Sequence, residues 1–353
     1  MRISIIGAGN GGQAMAGHFS ILGHEVCLFD RNQKKVDALN SQGYIELLGE
    51  VKGLARLSLV TSDIGKAIGF SNLIMITVTA DAHKSVAEMI APYVEDGQIF
   101  VLNPGRTLGA MEFSNCIRSH TDKKVYVAEC QTLIYACRKL AEGCVNIIGV
   151  KSHVLMSAFP SRDTELVANE MNKVYPCFDA VENSLVTGLE NFGAILHPTI
   201  ILFNAATIER GQSFFFYNDI TPHIAYFLEQ VDNERLLLGK EFWLRLHSIE
   251  DWISFAYKDI NGTTLCEKIK NNKAYYKIMS PDKLECRMLT EDIPTGILPM
   301  VELGKLCNLD LPLLNSLLVM SQTLLARDFS INGRTLQNVG ICNMNKSDFV
   351  NSL

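Results

Sequence analysis

The chain opens on a short apolar run, Arg2-Ile3-Ser4-Ile5-Ile6, that leads straight into Gly7-Ala8-Gly9-Asn10-Gly11-Gly12 and then into an apolar-periodic segment through Met15, Phe19 and Leu22. Strand, tight turn, helix is the context that a G-x-G-x-x-G pattern needs before it carries weight. Gly7 permits the turn, Gly9 keeps a Cβ out of the way of an approaching pyrophosphate, and Gly12 lets the helix pack closely on its strand. The anion would rest on unpaired N–H groups at the helix start, around Asn10 and Gly11. A glycine-rich turn without a ligand is the bland alternative, and the flanking elements argue against it.

A second apolar run, Glu25-Val26-Cys27-Leu28-Phe29, ends in Asp30, close to where a carboxylate meets an adenosine ribose hydroxyl. That carboxylate would repel a 2′-phosphate, whereas Arg31 beside it could pair with one. NAD is therefore the expected cofactor, with NADP as the alternative.

Strand and helix patterns then alternate. A helical segment at 34–39 is followed by strands at 44–47, 57–60 and 73–78, a helix carrying His83, Val86 and Ile90, and a strand at 98–102. Further strands are expected at 124–128, 144–150 and 153–158, then a helix over 163–174 and a short strand near Phe178. This alternation predicts a doubly wound, mostly parallel sheet, an α/β Rossmann domain over residues 1–185. In such sheets the loops beyond strand C-termini line the ligand crevice, so Thr79 and the run Asn103-Pro104-Gly105-Arg106 are expected to face the cofactor.

Past about Val186 strand signals vanish, and an all-α helical domain is expected over 186–353, with a ligand cleft between the two. One helical stretch at 188–209 reads as interrupted by His197-Pro198. Thr221-Pro222 supplies an N-cap and a proline at the first helical position for the next helix. Shorter helices are expected at 249–257, 265–271, 297–307 and 313–326, and the polar tail after Gly340 reads as loosely held.

Composition removes several classes. At 353 residues and 48% hydrophobic content there is material for two cores. A net charge of −6 without any Lys/Arg block offers nothing to nucleic acid. Ten scattered cysteines without a C-x-x-C pair or zinc spacing read as reduced thiols, and no metal is expected. No run of 18 apolar residues is visible and the chain starts on a core strand, so a cytoplasmic protein without membrane contact is expected. Phe214, Phe215, Phe216 and Tyr217 form an apolar cluster, either core or the face of an expected homodimer.

Reduction by a nicotinamide needs a group that moves a proton when hydride moves. Of eight histidines, His197 stands out because Pro198 disturbs its helix, and because Asn191 and Asn204 lie near whole turns on either side. A hydrogen-bonded core histidine beside a kink is the equal alternative. The second cluster is Cys286-Arg287-Met288-Leu289-Thr290-Glu291-Asp292-Ile293-Pro294. Its bland reading is helix capping. Its functional reading makes Arg287 a bidentate clamp for a substrate carboxylate and Asp292 the partner that fixes one tautomer of His197.

Together these motifs resemble the opine dehydrogenase family, also called octopine/nopaline dehydrogenases. The match includes the glycine loop, Asn103-Pro104-Gly105-Arg106, Gln131-Thr132-Leu133-Ile134-Tyr135-Ala136-Cys137-Arg138, Asn191-Phe192-Gly193-Ala194-Ile195-Leu196-His197-Pro198, Tyr217, Thr221-Pro222, Asp232-Asn233-Glu234-Arg235 and Thr290-Glu291-Asp292-Ile293-Pro294. The resemblance implies condensation of an amino acid α-amino group with a 2-oxo acid, pyruvate being the family's usual one, and reduction of the resulting imine by NADH or NADPH. It implies His197 and Asp292 as the catalytic pair and Arg287 as the amino-acid carboxylate anchor. It also implies that Thr132 and Cys137 line the substrate and nicotinamide region, and Asn204, on the stripe of His197, is expected to bind substrate as well. Gln131 departs from the Glu that many members carry there. The competing readings are a ketopantoate reductase or glycerol phosphate dehydrogenase type of 2-oxo/2-hydroxy acid dehydrogenase, and a non-catalytic NAD(P)-binding sensor. The former families generally use a lysine, and no lysine in the sequence stands in a comparable polar constellation.

Overall fold

The computed structural model describes residues 1–257 and 260–353. The chain divides into two compact units, Met1–Gly188 joined by Ser352–Leu353, and Leu189–Asn351.

The first unit holds twelve strands among the described residues: β1 Arg2–Ile6, β2 Glu25–Phe29, β3 Ile45–Gly49, β4 Gly53–Ala55, β5 Leu59–Thr61, β6 Leu73–Ile76, β7 Ile99–Leu102, β8 Tyr126–Cys130, β9 Tyr135–Ala141, β10 Cys144–Val150, β11 Val154–Phe159 and β12 Phe178–Ala180. Eight of them form one sheet in the order β12-β11-β8-β7-β6-β1-β2-β5. The run β5-β2-β1-β6-β7-β8 is all parallel and has the 3-2-1-4-5-6 order of a dinucleotide-binding sheet. Its central strands are covered on both faces, which is why β6 and β7 read as unbroken apolar runs instead of alternating ones and why even Ser4 of β1 is buried, its hydroxyl donating to Ala67 O at 2.7 Å. β11 joins antiparallel to β8, and β12, parallel to β11, forms the far edge.

Sequence patterning missed a division within this unit. β3, β4, β9 and β10 leave the main sheet and pair as β4-β3-β10-β9, a second, mostly antiparallel sheet. β9 and β4 carry weak signals, because β9 is buried only at Tyr135 and carries Arg138 and Lys139 in its middle, and β4 has only three residues. The second sheet contributes Ile45, Leu47, Val145 and Ile147 to the same buried cluster as Met15 and Phe19 of the helix Asn10–Ile21.

The expected stretch over 188–209 falls in three helices, Ser184–Leu189, which ends the first unit, and Phe192–Phe203 and Ala205–Glu209 in the second. The breaks fall at Asn191 and Asn204, and the middle helix continues through Pro198. Asn204 ends it by turning its own amide back, Nδ2 donating to Ile200 O at 2.9 Å. By length and composition Ser184–Phe203 would be apolar enough to cross a membrane, but 89% of the window is buried in the protein as core helix. The helix Pro222–Glu241 begins as expected, with the Thr221 hydroxyl accepting from Ile224 N at 3.4 Å. The tail is not loose: Lys346–Ser352 is helical, Phe349 is fully buried against Phe242, and Lys346 bridges Glu241 at 2.6 Å. One buried aromatic side chain, Phe349, and one ion pair anchor an otherwise polar segment. Of the Phe214–Tyr217 cluster, Phe216 and Tyr217 are core, while Phe215 is exposed.

Candidate functional site

In the first unit the glycine loop has the geometry of an anion cradle. Gly7 adopts φ +110°, which a side chain would strain, and a Cβ on Gly12 would collide with the Gly7 carbonyl oxygen. Thr77 Oγ1, which sequence reading passed over, donates to that carbonyl at 2.8 Å and ties the turn to the end of β6. A Cβ on Gly9 would meet nothing within 4 Å. Gly9 is also the N-cap of the helix Asn10–Ile21, so no side chain caps that helix start, and no acidic residue stands in its first turn. Open space in front of uncapped N–H groups suits a pyrophosphate, and the residues present therefore fit a dinucleotide.

Asp30 stands at the end of β2 as expected, but its carboxylate is more engaged than the sequence suggests. It accepts from Ala8 N at 3.0 Å, from Asn32 N at 3.0 Å and from Lys35 Nζ at 2.6 Å. Burial works against its charge, yet these donors outweigh it, the Lys35 bond foremost, and hold the carboxyl below its ordinary pKa. Because Lys35 compensates Asp30, the carboxylate is a weaker barrier to a 2′-phosphate than its sequence position implies. Arg31 is exposed.

Thr79 is exposed in the loop after β6, at the C-terminal edge where it was expected. The Asn103-Pro104-Gly105 run follows β7 at the same edge, but its side chains do structural work. Asn103 is buried, with Nδ2 donating to Val101 O at 2.8 Å. The Asn103–Pro104 peptide is cis. Gly105 lies so close to Glu129 that a Cβ would overlap the Glu129 side chain. Glu129, fully buried and unremarked in the sequence, accepts from Ala110 N at 2.7 Å and from the Thr187 hydroxyl at 2.6 Å.

The loop after β8 brings Thr132, and β9 brings Cys137, to Lys151, a residue that nothing in the sequence singles out. Lys151 Nζ donates to Thr132 Oγ1 at 2.9 Å and to Leu133 O at 2.8 Å. Burial of the ammonium brings its pKa down to about 8, with the charge of Arg106 adding to the fall and Cys137 opposing it. Burial likewise pushes the Cys137 thiol up to about 11. The expectation that no lysine stands in a polar constellation is thus corrected. No motif could have revealed it, because Lys151 reaches Thr132 only through the pairing of β9 with β10.

In the second unit the structure joins the two clusters that the sequence keeps far apart. His197, on the helix Phe192–Phe203, donates from Nδ1 to Asp292 Oδ2 at 2.7 Å. The Asp292 side chain is only 3% exposed, the imidazole 17%. A carboxylate on Nδ1 fixes the tautomer and leaves Nε2 as the working nitrogen. Nε2 faces the Tyr217 hydroxyl at 3.1 Å. Tyr217 is held in turn by stacking on Tyr275, with centroids 4.1 Å apart and planes 17° from parallel. Sequence reading listed Tyr217 only in the resemblance and in the apolar cluster.

Asp292 owes its position to an unusual local fold. It precedes one turn of π-helix, Ile293–Ile297, a form of backbone that is frequent at functional sites. Gly296 of that turn packs on the His197 helix so closely that a Cβ would overlap Ala194 Cβ. Arg287 lies one turn before Asp292, its side chain 66% exposed and its Nε 3.3 Å from Glu291 Oε2. Asn204 is drawn into helix termination instead of pointing toward His197.

A buried carboxylate on a partly exposed imidazole, in a chain that also carries a dinucleotide cradle, agrees with what similar proteins are. Residues 180–325 match the family model described as NAD/NADP octopine/nopaline dehydrogenase, alpha-helical domain, and residues 2–108 match the NAD binding domain of 6-phosphogluconate dehydrogenase. An opine dehydrogenase of Arthrobacter sp. (strain 1C) is 34% identical over 96% of this chain and 94% of its own length. Vitopine synthase of Allorhizobium ampelinum is 24% identical over 100% of this chain and 99% of its own. A solved structure of octopine dehydrogenase with NADH and L-arginine superposes with a TM-score of 0.81 at 21% identity, covering 96% of each chain. With its dinucleotide-binding sheet, its helical domain and a relative this close along nearly its whole length, the chain belongs to the opine dehydrogenase family, NAD(P)-dependent oxidoreductases that act on CH–NH donors.

Proposed function

We propose that this enzyme condenses the α-amino group of an amino acid with a 2-oxo acid, pyruvate being the first to test, and reduces the product to an N-substituted amino acid. The observation that carries this reading is the 2.7 Å bond between His197 and the buried Asp292. The amine attacks the oxo carbon to give a carbinolamine. His197 then delivers a proton to the departing hydroxyl, and water leaves as the C=N bond forms. Asp292 compensates the imidazolium that exists between proton transfers. Tyr217, on Nε2, holds the ring in plane and hands that nitrogen to the substrate. NADH or NADPH, when bound at Gly7–Gly12 and Asp30, supplies the hydride for the imine carbon. Arg287, with its fork in solvent, is the proposed anchor for the amino-acid carboxylate, and Glu291 the partner it would leave.

The test is NADH oxidation with pyruvate and each amino acid in turn, with amine-free controls. Turnover that needs both substrates supports the reading. Equal turnover without an amine would replace it by direct reduction of a 2-oxo acid, a second reading to which Lys151 lends its one supporting observation. All ten cysteines are free thiols, which suits a reducing cytoplasm. A homodimer is the proposed assembly: Trp243 is 73% exposed and Tyr226 62% on the helical unit. Sedimentation at twice 39.2 kDa would support it, and a monomer at micromolar concentration would refute it.

A further inference from the structure

We propose that Lys151 and Thr132 form the subsite that holds the carboxylate of the 2-oxo acid. The inference rests on the proposed function and assigns its second substrate. Lys151 follows β10, and Thr132 lies in the loop after β8, at the C-terminal edge of the half of the sheet opposite Asp30. In the 3-2-1-4-5-6 order the adenosine half ends at β2, so the β6-β7-β8 half belongs to the nicotinamide. Leu133, the residue after Thr132, lies against the glycine loop, since a Cβ on Gly11 would meet its Cδ2 at 2.8 Å.

The charge arrangement asks for an anion. An ammonium has three N–H donors, and Thr132 and Leu133 accept from two. Among the described residues no carboxylate is partnered with it, and the titratable groups that face it are Arg106, of like charge, and the Cys137 thiol. Shielding a cation beside another cation costs stability. A bound carboxylate reverses that cost. The Thr132 hydroxyl donates only a long 3.5 Å bond to Leu133 O, so by turning its hydrogen it can join the remaining Lys151 N–H as the two donors that one carboxylate accepts. The reaction needs two carboxylate anchors. Arg287 is proposed for the amino acid, which leaves the 2-oxo acid for Lys151.

The test uses the full-length enzyme saturated with NADH, and oxamate, an unreactive isostere of a 2-oxo acid, as the probe. Lys151→Met is expected to weaken oxamate binding and raise the KM of the 2-oxo acid roughly 10- to 100-fold, the loss of one charged hydrogen-bond pair. The Kd of NADH and the KM of the amino acid are expected to stay within about twofold, and Lys151→Arg to recover part of the loss. Lysine is charged below its pKa, so wild-type oxamate affinity should hold below about pH 8 and fall above it, and this dependence should vanish in Lys151→Met. A merely structural lysine would lower Tm and leave the pH dependence in place. Unchanged oxamate affinity in Lys151→Met overturns the inference, and so does an equal loss of NADH affinity, which would make the anion a cofactor phosphate. Failure of the proposed function shows separately, as absence of wild-type turnover with every amino acid while oxamate binding still depends on Lys151.

Discussion

His197, Asp292 and Tyr217 carry the residue-scale predictions because Asp292 and Tyr217 both touch the imidazole proposed to move the proton. Replacing His197 by Ala should lower kcat by roughly 10²- to 10⁴-fold, the usual worth of a positioned acid/base group. The NADH Kd, read by fluorescence titration, should not change, since the histidine and the glycine loop belong to different units; wild-type turnover would remove the acid/base role. Tyr217→Phe keeps the ring stacked on Tyr275 and removes only the hydroxyl at Nε2, so kcat should fall by about fivefold, the net worth of one hydrogen bond. A loss as large as that of His197→Ala would instead mark Tyr217 as a proton donor in its own right. The sequence made the first pair legible, since a histidine beside a helical proline and an aspartate before another proline are local irregularities in apolar surroundings. Tyr217 and Lys151 were not legible in the same way. Their roles depend on side chains meeting across turns and strand pairs, which no spacing reveals.

At the scale of elements, the glycine loop and the π-helical turn give opposite kinds of test. Gly9 has φ −77°, and its Cβ direction is open, so Gly9→Ala should fold with wild-type Tm. The new methyl would stand where a pyrophosphate must approach, and crowding of about 1–3 kcal/mol corresponds to roughly a 10- to 100-fold weaker NADH Kd. Gly12→Ala, by contrast, drives a methyl into the Gly7 carbonyl and should lower Tm even without ligand. Equal stability of the two variants would contradict this assignment of the glycines. Gly296 works between elements: an alanine there would push the turn beginning after Asp292 away from the His197 helix at Ala194. A displacement of about 1 Å can cost about 100-fold in rate, so kcat should drop steeply in Gly296→Ala and recover in part when Ala194→Gly makes room. If the double variant is no better than the single one, the contact does not set the distance from His197 to Asp292. The helix breaks show why boundaries were harder to read than sites. Pro198 looked like the interruption, yet the chain tolerates one missing hydrogen bond inside a buried helix and ends it where an asparagine side chain replaces the backbone partner.

For the whole molecule, the alternation of strands and helices was enough to identify a doubly wound sheet followed by helices, because a parallel sheet needs a crossover between successive strands. The separate sheet of β3, β4, β9 and β10 stayed hidden, since strands carry no mark of which sheet they join. In the proposed reaction cofactor contacts fall to residues before Gly188 and proton transfer to residues after Leu189. That division can be measured without any turnover. A ligand that binds only the folded state stabilises it by RT ln(1 + [L]/Kd), about 2.7 kcal/mol when NADH is present at 100 times its Kd. Wild type and His197→Ala should therefore gain the same few degrees of Tm from that NADH concentration, whereas Gly9→Ala, with its 10- to 100-fold weaker Kd, should gain roughly half of that or less. A smaller shift in His197→Ala than in wild type would mean that the histidine contributes to cofactor binding. The assignment of His197 to proton transfer alone would then have to be abandoned.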